Sequence, residues 1–219
     1  GVLVHEVAHS VVAMRRGIRI HSITLLIFGG ISSMEERMPD PATELPMALV
    51  GPLTSLAVGL ACTGLVYTVS SLVPDPATAG VLVFLFGYLG LLNIFLFAFN
   101  LLPAFPMDGG RVLRAWLARR MPLPQATRIA ANVGKAFAVV FGIFGLLVLN
   151  PILILIAFFI WMGAGQESAA VRYNYLLQDV NVGQIMARNI ISIAPTTPVR
   201  EVIDLMYTTK HLGFPVMDH

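Results

Sequence analysis

The chain has 219 residues, 57% of them apolar and only 12% charged, against about a quarter charged in soluble globular domains, and its mean hydropathy is +0.80. That balance excludes a soluble enzyme and points to an integral membrane protein whose first partner is the lipid bilayer. A net charge of +2 gives no overall pull toward nucleic acid, and the single cysteine, Cys62, cannot form an intrachain disulfide.

The first element is an apolar run, Gly1 to Met14, interrupted only by His5-Glu6-Val7-Ala8-His9 and a serine. No signal-peptide pattern precedes it, so the chain reads as a fragment whose N-terminus lies upstream. Residues four apart share a helical face, so His5 and His9 can aim two imidazole nitrogens at one tetrahedral zinc ion while Glu6 reaches the water at its open position. Next, Ile18 to Ile20 and Ile23 to Phe28, then Gly29-Gly30 and Ile31 to Met34, predict a β-hairpin at the membrane surface with a glycine turn. His21, Glu35, Glu36, Asp40 and Glu44 read as its solvated loop, and His211 and His219 belong to the C-terminal tail.

Three long apolar runs follow, Leu45 to Val73, Ala77 to Met107 and Ala136 to Gln166, each exceeding the ~20 residues that span a bilayer. The last would make a helix of about 46 Å, half again the hydrocarbon thickness. Asn150-Pro151 divides it, because proline removes a helical donor and disfavours helix in its predecessor, so a hairpin of two helices is expected. Between the second and third of these runs, Arg111 to Arg120 sets Val112, Leu113, Trp116 and Leu117 against four arginines, which predicts an amphipathic helix anchored on the headgroups. Arg15, Arg16, Arg19 and Arg37 fall in one loop and Arg111, Arg114, Arg119, Arg120, Arg128 and Lys135 in another, while Pro74-Asp75-Pro76 has no basic residue. Basic loops stay on the cytoplasmic side. With two passes in the last run, the tail carrying Arg172, Arg188, Arg200 and Lys210 returns to that side as well.

A catalytic zinc takes three protein ligands and a water. Asp108 is the best third candidate, because it ends an apolar run in the stretch Asn100-Leu101-Leu102-Pro103-Ala104-Phe105-Pro106-Met107-Asp108-Gly109-Gly110-Arg111. Two prolines stop the helix there and two glycines follow, which predicts an extended backbone able to turn the carboxylate toward an ion. An Asp at mid-bilayer costs roughly 2.5 to 3.5 kcal/mol, and zinc offsets that, contributing ~10 to 16 kcal/mol at structural sites. The competing reading makes Asp108 a cap of the following helix, partnered by Arg111.

Together with Ala48-Leu49-Val50-Gly51-Pro52-Leu53 and the Gly29-Gly30 turn, these motifs occur in the order found in the site-2 proteases, and the chain resembles a prokaryotic intramembrane zinc metalloprotease of that family over about residues 1 to 170. The resemblance implies an α-helical polytopic membrane protein: a transmembrane bundle with a small membrane-associated β-hairpin and six spans in the complete protein. It also implies one zinc per chain on His5, His9 and Asp108, Glu6 as general base, and a transmembrane protein as substrate. Asn100 matches a family position that holds substrate or stabilises the oxyanion; bonding between helices by a membrane Asn accounts for it equally well. The hairpin edge near Gly29-Gly30 would hold an unwound substrate by strand addition.

Residues 180 to 219 carry a second resemblance. Val182-Gly183-Gln184-Ile185-Met186, Ile191-Ser192-Ile193, Thr197 to Met206 and Gly213-Phe214-Pro215-Val216 are similar to the first half of a CBS domain, here a truncated α/β module. Val199, Val202, Ile203 and Met206 form its helical apolar stripe. Such domains pair and often bind adenine nucleotides, so the resemblance implies either an adenine nucleotide at the complete module or a purely structural, dimerising role. Two rival readings of the whole remain at this stage: a CBS-regulated transporter or channel with His5, Glu6, His9 and Asp108 as its ion pathway, and a catalytically idle binding scaffold.

Overall fold

The computed structural model describes residues 1–26, 29–34, 40–186, 188 and 190–217, in two compact units, Gly1–Tyr175 and Leu176–His219. Glu35, Glu36 and Arg37 of the expected loop, Ile27 and Phe28 of the expected strand, and Asp218 and His219 of the tail lie outside the described residues.

Helix α1 (Val2–Arg15) buries His5, His9, Ser10 and Ala13 on one face and exposes Leu3, Val4, Val7, Val11 and Met14, as a helix against lipid should. Gly17 ends it with φ +76: its N–H donates to Met14 O (3.0 Å) and that of Ile18 to Ala13 O (3.1 Å), the paired bonds of a Schellman motif. Strands β1 (Ile20–Leu26) and β2 (Gly29–Met34) pair antiparallel from Leu26 opposite Gly29 to Ile20 opposite Met34. Gly29 and Gly30 therefore open β2, paired with Leu26 and Leu25, and do not make the turn as expected.

Helix α2 (Pro41–Leu72) begins four residues before the apolar run, because Asp40 caps it, accepting from Thr43 N–H at 3.1 Å, and Pro41 occupies the first turn. Asp75 caps α3 (Pro76–Asn100) in the same way, and the Thr78 hydroxyl and N–H that donate to its carboxylate hold its pKa below the ordinary value. The two helices cross at glycines: a Cβ on Gly59 would lie 3.2 Å from Gly90 O, and one on Gly90 3.3 Å from Gly59 O. Helices α4 (Asp108–Leu117), α5 (Leu123–Leu147) and α6 (Pro151–Leu177) complete this unit. The turn into α6 falls at Asn150, whose side-chain oxygen accepts from the N–H groups of Ile152 (3.0 Å) and Leu153 (3.3 Å).

Among the described residues four helices, α2, α3, α5 and α6, are long and apolar enough to cross a membrane, and their outward faces carry Leu60, Phe84, Phe95, Phe144 and Phe158. The core instead lies around the non-helical segment between α3 and α4. Ala104 and Met107 pack with Ala138 and Ile160, and Phe105 packs with Ala130, Ala131 and Ala164. Glycines let this segment press into the wall made by α5 and α6, since a Cβ on Gly134 would lie 3.2 Å from Phe105 N and one on Gly163 2.7 Å from the Pro106 ring. Irregular backbone at membrane depth is tolerated where protein covers it.

The second unit holds α7 (Val182–Ile185) and α8 (Val199–Thr209). Ile193 bridges Val216 in parallel, with Ile193 N–H donating to Pro215 O and Met217 N–H to Ile193 O, both at 3.0 Å. Parallel neighbours need a crossover connection, and α8 supplies it.

Candidate metal centre

His5 and His9 stand one turn apart on the buried face of α1, and the first residue of α4, Asp108, meets them from the far side of the sequence. His5 Nε2 and His9 Nε2 are 3.0 Å apart and lie 3.1 and 3.2 Å from Asp108 Oδ2. All three residues are buried, at 4%, 8% and 8% exposure. A tetrahedral zinc with ligands at 2.0–2.2 Å needs donor atoms about 3.3 Å apart, so this near-equilateral triangle already has the dimensions of one face of the tetrahedron. Two imidazole nitrogens and a carboxylate oxygen are also a donor set suited to a catalytic zinc.

The ring orientations are set from behind. Nδ1 of His9 lies 2.6 Å from the Met47 carbonyl oxygen, which can only accept, so Nδ1 carries a proton and in the neutral ring Nε2 is the nitrogen left to ligate. Nδ1 of His5 lies 2.9 Å from Ser55 Oγ, itself 1% exposed. Between those two positions on α2 sits Gly51, where a Cβ would fall 2.1 Å from His9 Nε2 and 2.8 Å from His5 Nε2. The imidazoles thus lie directly on helical backbone, which only glycine permits.

The carboxylate does not sit on extended backbone, as the prolines and glycines suggested. Asp108-Gly109-Gly110 is the first turn of α4, and Met107 is its N-cap. The glycines serve close approach instead: a Cβ on Gly109 would lie 2.2 Å from Leu102 O, and one on Gly110 2.7 Å from Phe105 N. Glu6, half-buried, follows His5 on α1. Asn100 ends α3, half-buried, and its side-chain amide donates to Leu96 O at 3.0 Å within its own helix; among the described residues no hydrogen bond joins it to the triangle.

Two expectations for charged residues are corrected. Glu44 is not solvated loop: it belongs to α2, is 5% exposed, and pairs with Arg114. Arg114 does not reach headgroups: it is 2% exposed and faces inward. Asp40-Pro41, a cap followed by a first-turn proline, was the signal that placed Glu44 in a helix. Gly51 lay in a motif that carried the family resemblance but without a role for its missing side chain, and nothing local marked Ser55 or the Met47 carbonyl.

Known proteins resemble the chain over both of its units. Residues 1–74 and 68–141 match the model of Peptidase family M50, and residues 182–219 match that of the CBS domain. A zinc metalloprotease of Methanocaldococcus jannaschii is 38% identical over 218 residues, and Stage IV sporulation protein FB of Bacillus subtilis is 29% identical over 149 residues, 68% of this chain and 48% of its own length. The chain spans about three-fifths of the length of the curated relatives it matches, 62% of the Methanocaldococcus protein and 56% of Rip3 from Mycobacterium tuberculosis, which is 31% identical. Among solved structures, the site-2 protease from Methanocaldococcus jannaschii superposes with a TM-score of 0.59 at 40% identity, covering 76% of this chain and 73% of that one.

Proposed function

The chain belongs to Peptidase family M50, and from that premise we propose that it is an intramembrane zinc metalloprotease that cuts membrane proteins within or near their transmembrane segments. The observation that carries the reading is the buried triangle of His5 Nε2, His9 Nε2 and Asp108 Oδ2, drawn from two helices about a hundred residues apart in sequence, with edges of 3.0, 3.1 and 3.2 Å. One zinc per chain held there supplies Lewis acidity, lowering a water's pKa to about 7 and polarising a peptide carbonyl.

The protein's own residues do the rest. Glu6 accepts the proton of the attacking water and later delivers it to the leaving amine. Met47 O and Ser55 keep both imidazoles in the ligating orientation. A substrate helix hides its carbonyls in hydrogen bonds, so it unwinds before cleavage, and the β-hairpin would hold the freed strand by strand addition, with Asn100 as a candidate contact. The tail from residue 180 is read as a regulatory CBS module on the cytoplasmic side, with an adenine nucleotide as its candidate effector. The ion-pathway reading is less well supported, since His5, His9 and Asp108 converge on one point rather than lining a path.

Glu6→Gln tests the proposal in full-length protein given a reporter transmembrane helix with a mid-span Gly-Pro. Cleavage falls by about 10²–10⁴-fold while bound zinc stays at the wild-type level. Undiminished cleavage would refute the assignment of the base.

A further inference from the structure

Among the described residues, the most deeply buried charge outside the histidine and aspartate cluster is Arg114, six residues after Asp108 on the ten-residue helix α4. Its Nε donates to both carboxylate oxygens of Glu44, at 2.9 and 3.2 Å, and its Nη2 donates to Glu44 Oε1 as well. On the other side Nη1 donates to Glu167 Oε1 of α6 at 2.6 Å. The guanidinium also lies over the Phe105 ring, its Cζ 5.0 Å from the ring centroid. One side chain therefore touches α2, α6 and the segment leading into Asp108.

Buried ion pairs are weak evidence of stability, because desolvation offsets most of their attraction. Geometry gives this one a more specific role. Asp108 and Arg114 are separated by about 9 Å of helical rise on α4, and Gly51 and Glu44 by about 10.5 Å on α2. Asp108 meets the imidazoles that rest on Gly51, and Arg114 meets Glu44. Helix α4 is thus fixed against α2 at two points with matched spacing, and the two run in opposite directions. Slipping α4 by one residue would shift it about 1.5 Å and turn it about 100°, breaking both contacts together. A helix of this length has little stability of its own, and metal–ligand distances tolerate only about 0.2 Å.

We propose that the Glu44–Arg114–Glu167 cluster is a positioning device for the metal centre, fixing the height and rotation of α4 and so holding the Asp108 carboxylate against His5 and His9. Arg114 suits that role because its planar fork fixes direction as well as charge, which lysine cannot do. The proposal rests on the zinc reading above.

A double-mutant cycle separates positioning from general support. Zinc affinity is measured by competition with a chromophoric chelator in the full-length, detergent-solubilised wild type, Arg114→Lys, Asp108→Ala and the double variant, with melting curves of the metal-free forms as a check on folding. Positioning through Asp108 predicts that Arg114→Lys weakens zinc binding about 10–100-fold, and by less than twofold once Asp108 is already alanine. Equal loss in both backgrounds, or affinity within twofold of wild type in folded Arg114→Lys, would overturn the proposal. Should Arg114→Lys fail to fold, Glu44→Gln enters the same cycle with the same expected pattern. A wild type that binds no zinc would instead sink the zinc reading, and that result is visible without any Arg114 variant.

Discussion

At the level of single residues, Gly51 has no room for a side chain. Alanine there would place a methyl carbon 2.1 Å from His9 Nε2, and the obstacle cannot swing away because the ring is held at its other nitrogen by Met47 O. Gly51→Ala is therefore expected to weaken zinc binding about 10–100-fold and to cost roughly 1–3 kcal/mol in overpacking, measured by chelator competition and by melting. Wild-type affinity in that variant would mean that the rings do not rest on α2. The convergence of His5, His9 and Asp108 was legible in the sequence, because one helical period relates the two histidines and a carboxylate at the end of an apolar run is costly without a partner. The contacts of Gly51 and Ser55 were not, although Gly51 lay in a motif of the resemblance, since what they touch lies over forty residues away and depends on how α1 docks on α2. The two carboxylates of the Arg114 cluster escaped for the same reason, with Glu44 and Arg114 seventy residues apart.

At the level of elements, helix ends were easier to read than helix contacts. Asn150-Pro151 marked the break between α5 and α6 through its local chemistry, and Asn150 does cap α6. The prolines and glycines around Asp108 gave an ambiguous signal: glycine after a carboxylate reads as loop, yet here the missing Cβ atoms let α4 start against Leu102 and Phe105. The same logic governs the crossing of α2 and α3, where no apolar-side-chain pattern could reveal which glycine faces the neighbour. Gly59 does, and Gly64 has open space. Gly59→Leu should lower stability by about 3 kcal/mol, seen as a fall in melting temperature in detergent, while Gly64→Leu leaves it unchanged. Equal effects at the two positions would contradict the crossing described here.

At the level of the whole molecule, the three long apolar runs were legible because hydrophobic length is a property of composition, and among the described residues they form the four long helices α2, α3, α5 and α6, whereas α1, at 14 residues, falls short of the ~20 that span a bilayer. Sidedness rests on the distribution of arginine and lysine. In a Cys62→Ser background, a membrane-impermeant maleimide should label Pro74→Cys on intact cells and reach Arg119→Cys and Lys210→Cys only after lysis; labelling of Lys210→Cys on intact cells would reverse the tail. The central claim concerns the three ligands. The measurement that tests it most directly is zinc per chain in the purified full-length protein, for the wild type, His5→Ala, His9→Ala, Asp108→Ala and Glu6→Gln. About one zinc in the wild type and Glu6→Gln, and much less in the other three, is the expected result. A folded wild type that takes up no zinc when supplied with it, or an Asp108→Ala protein that holds zinc as well as the wild type, would contradict it.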